Sequence, residues 1–94
     1  MRYDAKADTN QSLLVEVMRS TGYTVTDLHC LGKGVPDLLV SGGALGDRNV
    51  FIEVKSATGK LNKAEAEFFR DWPGEKHIVR CIEDWLRLHE TWTS

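Results

Sequence analysis

Two runs of strand length, Asp37–Ser41 and Val50–Lys55, flank the glycine-rich segment GGALGDRN. A glycine-rich link of that kind is a hairpin connection, so the two runs are expected to pair with each other. Pro36 has no amide hydrogen to donate, so it can only open the first run or lie on its edge. Side chains alternate faces along a strand. Phe51, Glu53 and Lys55 therefore share one face of the second run, and Val50, Ile52 and Val54 the other. Asp37, Leu39 and Ser41 share a face of the first, opposite Leu38 and Val40. Paired strands lie about 4.8 Å apart, so a suitable register brings Asp37 close to Glu53.

The rest of the chain builds around this hairpin. Ninety-four residues make one domain, with 41% hydrophobic and 28% charged residues, a globular rather than a disordered balance. Residues 1–8 are polar and read as a loose N-terminal arm. From Thr9 the pattern is helical, with Thr9 or Asn10 able to cap, and Leu13, Leu14, Val17 and Met18 forming an apolar stripe that Gly22 ends. Tyr23–His29 suits a first strand. After the hairpin, Asn62 and Glu65 have capping-box spacing and open a helix over 64–72, which Pro73-Gly74 ends. Lys76–Cys81 reads as a fourth strand and Glu83–His89 as a closing helix. The predicted class is α/β, with a mixed four-stranded sheet flanked by helices. The crossover through the second helix makes strands three and four parallel.

Composition narrows the function. The formal net charge is −2, so no global basic field marks a DNA-coating protein. Cys30 and Cys81 lie in no metal-ligand spacing and read as reduced, buried thiols of a cytoplasmic protein. The sequence has neither an N-terminal apolar leader nor an 18-residue apolar run, and no membrane association is expected. No phosphate-binding glycine loop, Ser/His/Asp triad or HExxH pattern is present.

Asp37 and Glu53 carry the chemistry. Two carboxylates that close repel each other and call for a cation between them. Hard oxygen ligands with room for water suit Mg²⁺ or Mn²⁺. Lys55, on the side of Glu53, can orient a water or steady charge on a phosphate. Alone, an ExK on a strand is a solvated face with a weak ion pair, and a Pro-Asp is turn chemistry. Here they stand 16 residues apart, each in an apolar strand, which favours a site.

In that order and spacing, GVPDLLV…FIEVK resembles the PD-(D/E)xK nuclease signature. The surrounding residues of 8–90, including GKGVPD and IEVKSATGKLNKAEAEFFRDWPG, are similar to the VRR-NUC branch, the virus-type replication-repair nucleases. The resemblance implies a restriction-endonuclease-like αβββαβ core and a Mg²⁺- or Mn²⁺-dependent DNA endonuclease, phage-like and acting as a homodimer on branched DNA such as four-way junctions. It implies metal ligation by Asp37, Glu53 and the Val54 carbonyl, with Lys55 as the catalytic lysine. The alternatives are a non-cleaving module that binds branched DNA, a nuclease directed to flaps or nicks, and a structural protein whose acids are mere surface.

Two positions depart from the family's pattern. Its first helix supplies a glutamate where spacing to Gly22 places Gln11. Gln11 lies on the side of Leu14, Val15 and Met18, whereas Glu16 points away from that side. Gln11 is the expected site residue and Glu16 is expected to be solvated. Glu65 stands where related sequences carry glutamine; it reads as a cap, or as a contact just outside the site. Lys33, between two glycines, with Lys60 and Lys63, are the candidate DNA contacts, and Arg70 could extend that basic rim. His29 reads as a strand-end residue, with a place at the edge of the site as the alternative. Trp72, Trp85 and Trp92 read as packing or interface residues.

Overall fold

A computed structural model describes residues 5–94 and, from Asn10 onward, their side chains. The elements run α1 (Ala5–Ser20), β1 (Tyr23–Asp27), β2 (Leu38–Gly42), β3 (Val50–Val54), α2 (Lys63–Asp71), β4 (Lys76–Val79) and α3 (Ile82–Thr93). The four strands form one mixed sheet in the order β1-β2-β3-β4. β1 pairs antiparallel with β2, β2 antiparallel with β3, and β3 parallel with β4. The expected order of elements, the hairpin and the parallel crossover are all present.

Boundaries differ where local chemistry competes. α1 begins at Ala5, so Thr9 and Asn10 lie inside it rather than at its cap. Ala5, Lys6 and Ala7 are good helix formers and carry the helix back through half of the expected arm. Residues 1–4 of that arm lie outside the described residues. β1 stops at Asp27, because the chain then tightens into a 3₁₀ turn over His29–Leu31. Cys30 falls on that turn and is exposed, and Cys81 is half-buried; the expectation of two buried thiols is corrected, although both are free. α3 runs on to Thr93, four residues past His89, since nothing there breaks it and Trp92 packs on the core.

The sheet has two different faces. Val25, Leu38, Val40, Val50, Ile52 and Val79 point into a core closed by Leu14 and Met18 of α1 and by Trp85 of α3. Tyr23 meets Trp85 edge-on at 4.8 Å and anchors α3 through a 2.7 Å hydrogen bond between its hydroxyl and His89 Nδ1. On the opposite face, Phe51 packs edge-on against Phe68 and Trp72 of α2, which stack on each other at 5.2 Å. The tryptophans are thus packing residues, as expected. Burying aromatic area on both faces is what holds so thin a domain together.

α2 is set by its cap. Asn62 Oδ1 accepts from the Glu65 amide at 2.9 Å, and Glu65 Oε1 accepts from the Asn62 amide at 2.9 Å, the predicted capping box. The loop before β2 lies directly against this helix start. Gly34 has φ +82, and a Cβ there would run into the Ala64 carbonyl, so only glycine fits. That contact fixes the loop that delivers Pro36 and Asp37.

Candidate metal centre

β1 ends, β2 begins and β3 ends at the same edge of the sheet. Leu38 lies across from Ile52, so one residue further on the register sets Asp37 opposite Glu53. The Leu28 amide donates to the Asp37 carbonyl at 2.7 Å and the Val54 amide donates to Asp37 Oδ2 at 2.8 Å. Backbone therefore holds Asp37 from both sides. The Phe51 and Lys55 amides point to β4, so alternation turns the amide and carbonyl of Val54 toward β2. Its partner there by register is Pro36, which offers no amide hydrogen. The Val54 carbonyl thus faces a slot without a backbone donor.

Glu53 is only 2% exposed, the one charged side chain in the interior among the described residues. Its Oε2 lies 3.4 Å from Lys55 Nζ, while Oε1 is buried with no hydrogen-bond partner. Such an oxygen is costly unless something else meets it. Lys55 Nζ also donates to Glu65 Oε1 at 2.8 Å.

Electrostatics express the crowding. Burial, then the charges of Asp37 and Glu65, push the Glu53 carboxyl up to about 8. Burial also raises Asp37, against the pull of the Val54 amide and of Lys55. Burial would lower Lys55, yet the hydrogen bond and charge of Glu65, with Glu53 behind, leave it raised. Burial likewise works against ionised Glu65, and the Lys55 and Asn62 donors outweigh it, so its pKa falls. One proton or one added cation relieves this cluster.

The cluster opens on a cleft of about 1190 Å³ lined by Gln11, Asp27, His29, Asp37, Glu53, Val54, Lys55 and Glu65, with Glu16, Arg19 and Arg80 also on its wall. Gln11 is half-buried and reaches Asp27, its Nε2 donating to Oδ2 at 3.3 Å. Glu16 is exposed. Asp27 was not legible as a cleft residue. It holds His29 through the amide and through Nδ1, both at 2.8 Å, and the amide contact keeps its pKa low. His29 is thus on the 3₁₀ turn at the cleft mouth rather than at a strand end. Arg80 was also missed: its Nη1 donates to the Ser56 and Gly59 carbonyls at 2.7 and 2.6 Å and ties down the loop after β3. A lone arginine after a strand carries no sequence signal for that role.

The proposed DNA contacts lie elsewhere. Lys33 has φ 57 and lines a smaller hollow of about 250 Å³ with Phe68 and Trp72. Lys60 and Lys63 are exposed and line neither space, and Arg70 is paired with its neighbour Asp71 at 2.7 Å. No helix among the described residues is long and apolar enough to cross a membrane.

The donor set fits a hard divalent ion that keeps open positions. Among the described residues no group of three or more His, Cys, Asp or Glu side chains is placed to hold a metal ion, so an ion here would rest on two carboxylates, a carbonyl and water. Two carboxylates, one with an orphan oxygen, and a free carbonyl suit Mg²⁺ or Mn²⁺, which retain water and meet substrate phosphates. No protein-family model, curated protein or solved structure matches the chain.

Proposed function

We propose that the protein is a Mg²⁺- or Mn²⁺-dependent DNA endonuclease that hydrolyses phosphodiester bonds, of the VRR-NUC kind within the PD-(D/E)xK nucleases. The observation that carries this reading is the orphan Oε1 of Glu53, buried opposite Asp37 with the Lys55 ammonium beside it. A buried carboxylate oxygen without a donor is costly, and either a proton or a bound cation relieves it.

Asp37, Glu53 and the Val54 carbonyl would hold the ion, which would supply Lewis acidity and a better water nucleophile at neutral pH. The Val54 amide keeps Asp37 aimed into the cleft. Lys55 sets a positive charge where charge builds on the phosphate in the transition state. Gln11 contributes an amide to the α1 wall and no charge, so the site works with one carboxylate fewer than the family pattern.

Branched DNA is the substrate class that follows from the resemblance, with paired cuts by two copies related by a two-fold axis, in the cytoplasm of a phage host. Lys33, Lys60 and Lys63 then meet backbone outside the cleft. A second reading, a non-cleaving module for branched DNA, is favoured by the neutral Gln11 and by the five acids on the cleft wall, Glu16, Asp27, Asp37, Glu53 and Glu65. A cleavage panel of junction, flap, nicked and plain duplex DNA, with and without Mn²⁺, decides. Metal-dependent cutting that Lys55→Ala removes supports the nuclease. A junction that is shifted but left whole by the wild type supports the binding module.

A further inference from the structure

One carboxylate oxygen has two duties in this domain. Glu65 Oε1 accepts the Asn62 amide at 2.9 Å, closing the cap of α2, and accepts Lys55 Nζ at 2.8 Å. Lys55 Nζ is further from Glu53 Oε2, at 3.4 Å. The ammonium is therefore shared between the two acids and lies nearer to Glu65, although Glu53 is the more buried acid, with side-chain exposure of 3% against 17% for Glu65. Without Glu65, the nearest carboxylate for Lys55 is Glu53 itself. A closer ion pair at Oε2 would offset the charge of the acid and weaken its hold on a cation.

We infer that Glu65 is a positioning residue that holds the Lys55 ammonium as its closer partner, limits its pairing with Glu53, and so keeps Glu53 open to a divalent cation. This role rests on the metal-site reading above and adds a residue that acts on the ion through Lys55, without touching it. The gap left by the neutral Gln11 sharpens the need. With a neutral amide at position 11, a site of two carboxylates loses half its negative ligands if Lys55 claims one of them. Placing the Glu65 carboxylate in a capping box also makes its position firm, because Oε1 is held by the Asn62 amide whether or not Lys55 is present.

The test is Mn²⁺ binding, read by calorimetry and by the loss of the free-ion paramagnetic resonance signal, on the intact chain. Residues that support a metal from outside its ligand shell typically change affinity 10–100-fold when removed. Glu65→Ala is expected to weaken Mn²⁺ binding by roughly tenfold, and Glu65→Gln, which keeps an oxygen for Asn62 and Lys55, by less. Adding Lys55→Ala to Glu65→Ala is expected to restore the affinity, because the competing ammonium is gone. Asn62→Ala, which removes the other half of the cap, controls for loss of helix stability and is expected to leave affinity unchanged.

A Glu65→Ala protein that binds Mn²⁺ as the wild type does would overturn the inference. So would a double variant as weak as Glu65→Ala alone, which would mean that Glu65 acts through its own charge. Weakening by Asn62→Ala equal to that by Glu65→Ala would reduce the effect to helix capping and overturn it as well. Failure of the underlying reading looks different: wild type, Lys55→Ala and the double variant would all bind no Mn²⁺.

Discussion

The two ends of β3 hold the same kinds of side chain and treat them in opposite ways. At its start, Glu75 sits beside the strand with both oxygens engaged: Arg48 Nη2 at 2.8 Å, His77 Nε2 at 2.9 Å and Trp92 Nε1 at 3.1 Å. Partial burial works against the ionised form, and the His77, Arg48 and Trp92 donors outweigh it, holding the Glu75 carboxyl below its usual range. At its end, Glu53 is more deeply buried, faces a second carboxylate, keeps an orphan oxygen and is pushed up to about 8. One end has been satisfied and the other left in conflict. Conflict of this kind persists where a ligand is meant to complete the set.

The largest test of that contrast lies in the chemistry. Lys55→Ala removes the ammonium beside Glu53 and is expected to lower metal-dependent DNA cleavage by about 10²–10³-fold, the scale of losing one positioned charge-stabilising group. Removing a cation from the Glu75 end, by Arg48→Ala, should leave the rate within about twofold, since that end touches no substrate in this reading. Single-turnover rates on a junction substrate measure both. Equal losses at the two ends would mean that the difference between them has no functional content.

Next in size is an inversion of stability. Glu53 has a folded pKa of about 8 against an ordinary 4.5, so the folded state keeps a proton that the unfolded chain gives up. The wild type therefore loses stability from this group as pH rises from about 4.5 to 8, and the loss is complete above that window. Glu53→Gln mimics the protonated form. In metal-free buffer it should match the wild type at pH 4 and exceed it by ~5 kcal/mol above pH 8 in denaturant melts. Saturating Mn²⁺ should close that gap by stabilising the wild type alone. A Glu53→Gln protein less stable than wild type at pH 8 without metal would show that the orphan oxygen is no burden.

Glu75→Gln should have the opposite sign and a smaller size. A folded pKa held low adds stability that is present above about 4.5 and fades as pH falls through the lower folded value. The group is about one-third exposed, so solvent discounts its ion pairs, and a loss of ~1 kcal/mol at pH 7 is expected, vanishing in strong acid. A gain in stability at pH 7 would break the comparison at its satisfied end.

What the residues announced in advance follows the same division. The order of elements, the hairpin, the parallel crossover and the Asn62–Glu65 cap rest on short-range rules; period-two alternation assigns Asp37 and Glu53 their faces, and the strand register then sets them opposite each other. Cleft members that depend on tertiary approach stayed hidden. Asp27 and His29 enter because β1 ends early in a 3₁₀ turn, and Arg80 because its guanidinium reaches back to carbonyls more than 20 residues away. Glu65 was legible as a cap but not as the partner of Lys55, since no local rule says which way a lysine at a strand end will lean.

The smallest expected effect concerns α1. Gln11 Nε2 donates to Asp27 Oδ2 at 3.3 Å, a long and partly exposed bond of modest worth. Gln11→Glu exchanges that donor for a carboxylate that repels Asp27, so the metal-free protein should lose less than about 1 kcal/mol. If the Glu53 end is built for a divalent ion, the same change adds a negative charge to the wall facing it and should tighten Mn²⁺ binding by about three- to tenfold. A protein destabilised without metal and tightened toward it is the behaviour of a ligand set extended by one acid. Mn²⁺ affinity that stays flat or falls would separate α1 from the metal centre and leave Asp37 and Glu53 to act without it.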